Sequence, residues 1–388
     1  MRKTLLPLLI FLVMMSSSCV VQTETVALTD TPSTEFVPTA TPKYLSLLYE
    51  LQMFLGGDGW ATNLDKNHIY ITPDFGEHWR EVTPPELAAS DKSGNIEAAF
   101  ANSQLAWVCQ SLPETAGVLY VTGDQGQSWA EVQLDFPCGS MGIVSPQVGY
   151  VFSSEGVGLG SNYVSVHKTE DAGFNWSTTF THEPGGVDDH GLPTGGIKSQ
   201  FTVLSENTLL VGGSIPAPGW LYLFKSSNAG ASWSQVECPG LPYSDDAELP
   251  ISNIFRISEN EVIVAIQAYL PDYDSTPTHY CGSSDGGESW AYLSSLDNVS
   301  FSDFGSFDAG VAFADDKMYQ TSDGGISWQD ISTGLPPAIT PVAVDMVTSA
   351  YGFLTVSISP ETLDQNRTYM TVNNGSTWQS MPGIIVDP

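Results

Sequence analysis

The octapeptide Ser283-Ser284-Asp285-Gly286-Gly287-Glu288-Ser289-Trp290 constrains this chain more than any other feature, because its pattern occurs seven times. The pattern is Ser/Thr-x-Asp/Asn-x-Gly-x-x-Trp, and the other copies occupy residues 72–79, 122–129, 169–176, 226–233, 321–328 and 371–378. Their third residues are Asp74, Asp124, Asp171, Asn228, Asp323 and Asn373. They end on Trp79, Trp129, Trp176, Trp233, Trp328 and Trp378. Each copy lies between short apolar runs, as in His68-Ile69-Tyr70-Ile71 before the first and Arg80-Glu81-Val82 after it. That arrangement predicts a β-hairpin. The Asp accepts backbone N–H groups inside its own turn. The Gly takes a conformation that a Cβ would penalise. The Trp buries a large apolar body. Asn228 and Asn373 keep an acceptor, so their turns should survive without the charge.

The Trp-to-Trp intervals are 50, 47, 57, 57, 38 and 50 residues. Upstream of each box lies an apolar run, a polar turn and a second apolar run. Examples are Phe201-Thr202-Val203-Leu204 before Leu209-Leu210-Val211, and Ile254-Phe255-Arg256-Ile257 before Val262-Ile263-Val264-Ala265. Adding the two strands around the box gives four strands per unit. A period near fifty built of short strands predicts a propeller rather than a sandwich. The expected fold is therefore all-β, one seven-bladed β-propeller over residues 44–388. Each unit reads from an inner strand to an outer one, with no strand shared between the first and last blades.

The octapeptide resembles the Asp-box (bacterial neuraminidase) repeat, which forms the turn between the third and fourth strands of propeller blades. The Gly59-Trp60-Ala61 second strand, with a box in every blade, is similar to photosystem II assembly-factor-type propellers. Sortilin-type propellers and xyloglucan-degrading two-propeller glycosidases are also similar. The resemblance spans roughly residues 47–382. It implies that the seven Asp/Asn and seven Trp residues serve the fold, on the face away from any active site. It also implies that inter-blade loops and second-to-third-strand loops share the other face. The assembly factors are expected to use an Arg-rich patch, whereas the chain after residue 19 has only Arg80, Arg256 and Arg367.

At the N-terminus, Arg2 and Lys3 precede an apolar run from Leu5 to Met15. This has the form of a secretory signal and is too short to span a membrane stably. Ser16-Ser17-Ser18-Cys19 resembles a bacterial lipoprotein signal, in which Cys19 is lipidated. The plainer alternative is an ordinary signal peptide with Cys19 incidental. Residues 19–43 are rich in Thr and Pro and read as a semi-extended tether. The expected location is the bacterial cell envelope, with membrane contact only through the N-terminal lipid.

With 44 acidic and 12 basic residues the formal charge is −32, which argues against nucleic acid and anionic lipid as partners. Solubility in an extracellular medium accounts for the charge most simply. Four further cysteines, Cys109, Cys138, Cys238 and Cys281, suggest disulfides in an exported chain, with three connectivities open. Local pairing, Cys109–Cys138 and Cys238–Cys281, closes the shorter loops.

The long loops fall mid-chain. They carry His182, Glu183, Asp188, Asp189 and His190, then Tyr243, Asp245, Asp246 and Glu248, then Tyr269, Asp272, Tyr273, Asp274 and His279. Blades 3 to 5 are neighbours, so these carboxylates can gather on one rim, with Trp220 nearby. Three readings compete. One is a Ca²⁺ site of carboxylate and carbonyl oxygens. A second is a glycosidase acid pair. The third, which loop carboxylates favour by default, is solvated surface. A sialidase would need an Arg triad and an early Arg-Ile-Pro. The nearest string is Phe255-Arg256-Ile257-Ser258, in mid-chain. No nucleophile elbow or P-loop is present. The expected function is a monomeric, non-catalytic module that binds an envelope protein or glycan and needs no cofactor. The alternative is a glycoside hydrolase using the loop carboxylates.

Overall fold

The computed structural model describes residues 43–386 except 45–47, 49, 64–65, 89–93, 113–114, 159, 183–189, 244–245, 270–275, 332–339, 358–365 and 382–383. Residues 1–42, with the signal, Cys19 and most of the tether, lie outside the described residues. The chain forms seven sheets, each with an antiparallel four-stranded blade built from consecutive strands. Their first strands are Leu51–Met53, Asn95–Phe100, Ser140–Ile143, Ile197–Val203, Ile251–Arg256, Val299–Phe304 and Thr340–Met346. Neighbouring first strands pack side by side at the junctions of blades 2–3, 3–4, 4–5, 6–7 and 7–1. The fold is a seven-bladed β-propeller.

Second strands are buried on both faces, which is why they read as unbroken apolar runs. In blade 5, Val262–Gln267 is buried over its first five residues. There Val264 stands opposite Ile254 on one side and Cys281 on the other. The core lies between blades. One cluster packs Phe255, Ile263, Ala265 and Tyr280 of blade 5 against Phe304 of blade 6.

As expected, the first and last blades share no strand, each being built of its own four; the chain ends add to the first blade from outside. The C-terminal strand Ile384–Val386 pairs in parallel with His78–Glu81, the outer strand of blade 1. Lys43–Tyr44 pairs with its far side, so the first sheet has six strands. Lys43, expected in the tether, is thus already a strand residue. The outer strand of a blade is an edge with unpaired backbone groups, and the chain end covers it.

The box turns follow one scheme throughout. The first residue, Thr72, Thr122, Thr169, Ser226, Ser283, Thr321 or Thr371, is buried. In box 5 the Ser283 hydroxyl accepts the Gly287 N–H at 2.8 Å and donates to Asp285 Oδ1 at 2.9 Å. Asp285 Oδ1 also accepts the Ser289 N–H at 2.9 Å. Asn228 and Asn373 make the same Oδ1 bonds, and their Nδ2 groups donate to Ser232 and Thr377. Turn geometry therefore tolerates loss of the charge.

The fourth residue of every box is left-handed as well as the fifth: Phe75, Gln125, Ala172, Ala229, Gly286, Gly324 and Asn374 all have φ between 52° and 75°. In box 1 the N–H of Phe75 donates to Gly57 O, and in box 5 that of Gly286 donates to Asn260 O. The same bond recurs in all seven blades and ties each box to the first hairpin turn of its own blade. Boxes and first hairpins thus occupy one face, and inter-blade linkers occupy the other.

The box Trp residues sit between blades. Trp79, Trp176 and Trp290 donate their ring N–H to the carbonyl of their own box glycine. Trp129 and Trp328 reach back to the preceding blade, at Val82 O and Ser294 Oγ. Trp233 and Trp378 are packed in the clusters of blades 3–4 and 6–7.

Candidate functional site

The carboxylates of the boxes are engaged by their own turns. Hydrogen bonds from the seventh residue hold Asp124, Asp171 and Asp323 below the usual carboxylate range, and Ser289 brings Asp285 to about 2. Burial opposes the fall at Asp74, but the His78 bonds prevail. Asp74, Glu77 and His78 are the one group of three metal-type donors among the described residues, within 4.8 Å of one another. They lie on the box face. Asp74 Oδ2 and His78 Nδ1 already pair at 2.7 Å, so the group braces its turn.

Of the candidate loop residues, Asp188, Asp189, Asp245, Asp272 and Asp274 lie outside the described residues, as do Glu183 and Tyr273. Asp246 and Glu248 are exposed. Glu248 and Tyr269 exchange backbone hydrogen bonds, which ties the linker between blades 4 and 5 to blade 5. The loop histidines do not gather there. His182 is buried, accepting the Val164 N–H at Nδ1 and contacting Leu192 O at Nε2. Its place is in the core beneath the linker between blades 3 and 4. His279 is buried on the third strand of blade 5, and that burial lowers its pKa. Among the other histidines, His68 Nδ1 meets Glu81 at 2.7 Å. His167 stacks on Phe136 with ring centres 3.6 Å apart, and burial takes it down to about 4. Ser153 stands between His167 Nε2 (3.1 Å) and Glu155 (2.8 Å). In that order the carboxylate orients the hydroxyl and not the imidazole, and Ser153 is wholly buried, so the trio is no hydrolytic triad.

The cysteines pair locally: Cys109 with Cys138 and Cys238 with Cys281. Cys138 and Cys238 belong to linkers, so each bond fastens a linker over the end of a blade.

Linker length decides where the loop face is open. The linker after blade 1 buries Val82 and Leu87, and the next buries Leu134, Phe136 and Cys138. Those after blades 3 and 4 bury Leu192, and Val236, Ala247 and Leu249, respectively. Blades 5 and 6 are joined by Asn298 alone, between Ala291–Asp297 and Val299–Phe304. Among the described residues, no apolar segment covers that groove. Above the buried Phe255 and Ala265, it opens into a cleft of about 150 Å³.

The cleft is lined by Asn253, Gln267, Thr278, Phe301 and Ser302 with the bulged residues Ser252 and Ser300. The two bulges occur at the same point of their strands, and each hydroxyl donates to the neighbouring strand, Ser252 to Ala265 O and Ser300 to Phe313 O. Bulges re-aim side chains beside sites. Among the described residues, the lining has no charged side chain. None of these residues stood out as chemistry in the sequence. The signal was the 38-residue interval between Trp290 and Trp328, the shortest of the six. A second depression, between blades 4 and 5, is bridged by the ion pair of Lys225 and Glu288.

No family model matches the chain, and a search of curated proteins finds no match. Solved structures do match. YCF48 bound to a D1 peptide aligns with a TM-score of 0.53 at 13% identity, over 87% of this chain and 94% of that one. YCF48 from Cyanidioschyzon merolae gives 0.50 at 13% identity, over 87% and 97%. The GH74 xyloglucanase from Xanthomonas campestris gives 0.54 at 14% identity, over 86% of this chain but 54% of the enzyme. The chain thus spans about half the length of that enzyme. At these identities the likeness is one of fold: a seven-bladed propeller similar to YCF48 and to xyloglucanase propellers.

Proposed function

We propose that the protein is an exported, lipid-anchored binding module whose propeller takes an envelope ligand on its loop face without catalysis. The carrying observation is the cleft between blades 5 and 6, the site the short junction leaves open. Among the described residues, its lining of hydroxyl, amide and aromatic groups can hold a ligand but contains no acid, base or nucleophile–base pair. The box carboxylates are committed to their turns on the other face. The signal-like N-terminus and Cys19 supply the anchor in this reading, and the tether holds the propeller off the membrane.

The test is a combined binding and hydrolysis screen of the purified chain against envelope polysaccharides, with and without calcium, alongside crosslinking at the cell surface. Retention of a glycan or a protein without turnover supports the module. Product release that disappears in Asp245→Ala or Asp188→Ala, with the fold intact, overturns it in favour of a glycoside hydrolase. For the anchor, Cys19→Ser should move the protein from the membrane fraction to the soluble fraction. Unchanged fractionation would remove the lipid from the account.

A further inference from the structure

The cleft between blades 5 and 6 has a feature that solvent-filled grooves do not need. Thr278 is 2% exposed, lines the cleft, and its hydroxyl has no hydrogen-bond partner. A buried hydroxyl without a partner is costly, and such groups in native folds call for an explanation. The residues around it are already partly engaged in ways that leave donors over. Asn253 Oδ1 accepts the Ile254 N–H at 2.9 Å, which leaves the amide NH₂. Gln267 Oε1 accepts the Tyr269 hydroxyl at 2.8 Å, which likewise leaves an NH₂. Ser252 and Ser300 donate to backbone carbonyls and keep acceptor lone pairs.

We infer that this cleft seats one unit of a neutral glycan chain, with the Thr278 hydroxyl as its buried anchor. The inference rests on the binding-module reading and names the ligand class for it.

The chemistry selects that class in three steps. A cation would need several carboxylate or carbonyl ligands, and among the described residues no carboxylate lines the cleft. An anion would meet no Lys or Arg among the described lining residues and a chain of formal charge −32. What remains is an uncharged ligand carrying both donors and acceptors at close spacing, which a sugar's hydroxyl groups supply. Phe255 on the floor and the half-buried Phe301 add apolar surface for the C–H face of a pyranose ring. At about 150 Å³ the cleft is smaller than the ~300–1,000 Å³ typical of pockets for drug-sized ligands. It therefore takes a single unit, and the rest of the chain crosses the exposed rim of Ser252, Asn253 and Ser300.

The experiment is calorimetric titration of the purified full chain with neutral tetrasaccharides of gluco, xylo, manno and galacto configuration, and with tetragalacturonate as the acidic counterpart. At least one neutral tetrasaccharide should bind and the acidic one should not. Thr278→Val keeps the shape and removes the hydroxyl. It should weaken that binding about tenfold, equivalent to about 1.4 kcal/mol, with the melting temperature held or raised. Ser300→Trp, on the exposed rim, should abolish binding by filling the mouth and leave the circular dichroism spectrum unchanged.

Binding that neither variant alters places the ligand elsewhere and overturns the seat, while the module reading survives. Failure of the folded chain to bind any neutral tetrasaccharide also overturns the seat and leaves a protein ligand for the module. Cleavage of a tetrasaccharide overturns the non-catalytic reading and this inference with it.

Discussion

The carboxylate of Asp345, on the first strand of blade 7, accepts the backbone N–H of Met53, on the first strand of blade 1. Asp303 of blade 6 makes the same bond one blade earlier, to the Met346 N–H at 2.6 Å. Two successive inner-strand junctions are thus fastened by a side chain reaching to the next blade, and the second of them closes the ring. Both residues keep part of their surface, yet protein surrounds the carboxylates. Burial pushes Asp303 up to about 6, and burial together with the Asp303 charge pushes Asp345 up to about 8.

Stability should therefore fall with rising pH across an unusually low window. A carboxyl with a raised folded pKa contributes stability that is complete below its unfolded value, 3.8, and is lost as pH rises through the folded one. The box aspartates act in the opposite sense: their lowered values contribute stability that is lost as pH falls through the folded pKa, about 2 for Asp285. The melting temperature should peak near pH 4–5 and decline toward pH 8. Asp345→Asn, which retains an acceptor for Met53, should flatten the decline between pH 6 and 8. A slope unaltered by this substitution would assign the decline to the general negative charge of the chain.

The fifth box position is fixed by conformation and by a neighbour. Gly126 has φ +71°, and a Cβ there would stand 2.6 Å from Val82 Cβ in the linker after blade 1. Gly126→Ala should cost about 1–3 kcal/mol in denaturant titration. Gly123, three residues earlier, has nothing within 4 Å of a built Cβ. Gly123→Ala should stay within about 0.5 kcal/mol of the parent. Equal losses at both sites would show that the box does not dock against its neighbour.

The architecture was legible because each box repeats a local chemistry that needs no distant partner. The bond from Asp285 to the Ser289 N–H spans four residues, so the motif announces its own turn. The left-handed fourth position was visible at Gly286, Gly324 and Asn374 but masked by Phe75 and Ala172, which adopt it because the carbonyls of Gly57 and Gln147 hold their N–H groups. The cleft was far less legible. Thr278 reads as an ordinary strand residue, and only the groove left uncovered at Asn298 gives its hydroxyl meaning. Charge in this sequence gathers on the long loops, whereas the open site arises where the linker shrinks to Asn298. His182 misled for the same reason: its position in a polar stretch concealed a core role set by Val164 and Leu192.

The Cys238–Cys281 bond should carry more of the stability of blade 5 than any single side-chain contact. It joins a linker residue to a third strand across 43 residues of sequence. In the loop-closure account a cross-link over that span is worth about 3–4 kcal/mol. The double substitution Cys238→Ser, Cys281→Ser should lower the denaturation midpoint accordingly. It should also speed hydrogen exchange in 246–251, where the linker docks on blades 4 and 5. A variant as stable as the parent under oxidising conditions would mean that the packing of Ala247 and Leu249 holds the linker unaided.

Ring closure has two parts that truncation can separate. Inside, Asp345 binds the Met53 N–H. Outside, Ile384, Ile385 and Val386 pair with His78, Trp79 and Arg80. Deleting residues 384–388 removes the outer part alone and leaves His78–Glu81 as an exposed edge, paired only to Ile69–Thr72. Exchange should accelerate at the amides of 78–81 and 43–44 and remain unchanged in Val262–Gln267 of blade 5. The denaturation midpoint should fall, and the truncated chain should associate at high concentration through its new edge. Adding Asp345→Ala to the truncation should destabilise by more than the sum of the two changes, since either closure alone can hold blade 7 against blade 1. Strict additivity would show that the two closures act on independent parts of the ring.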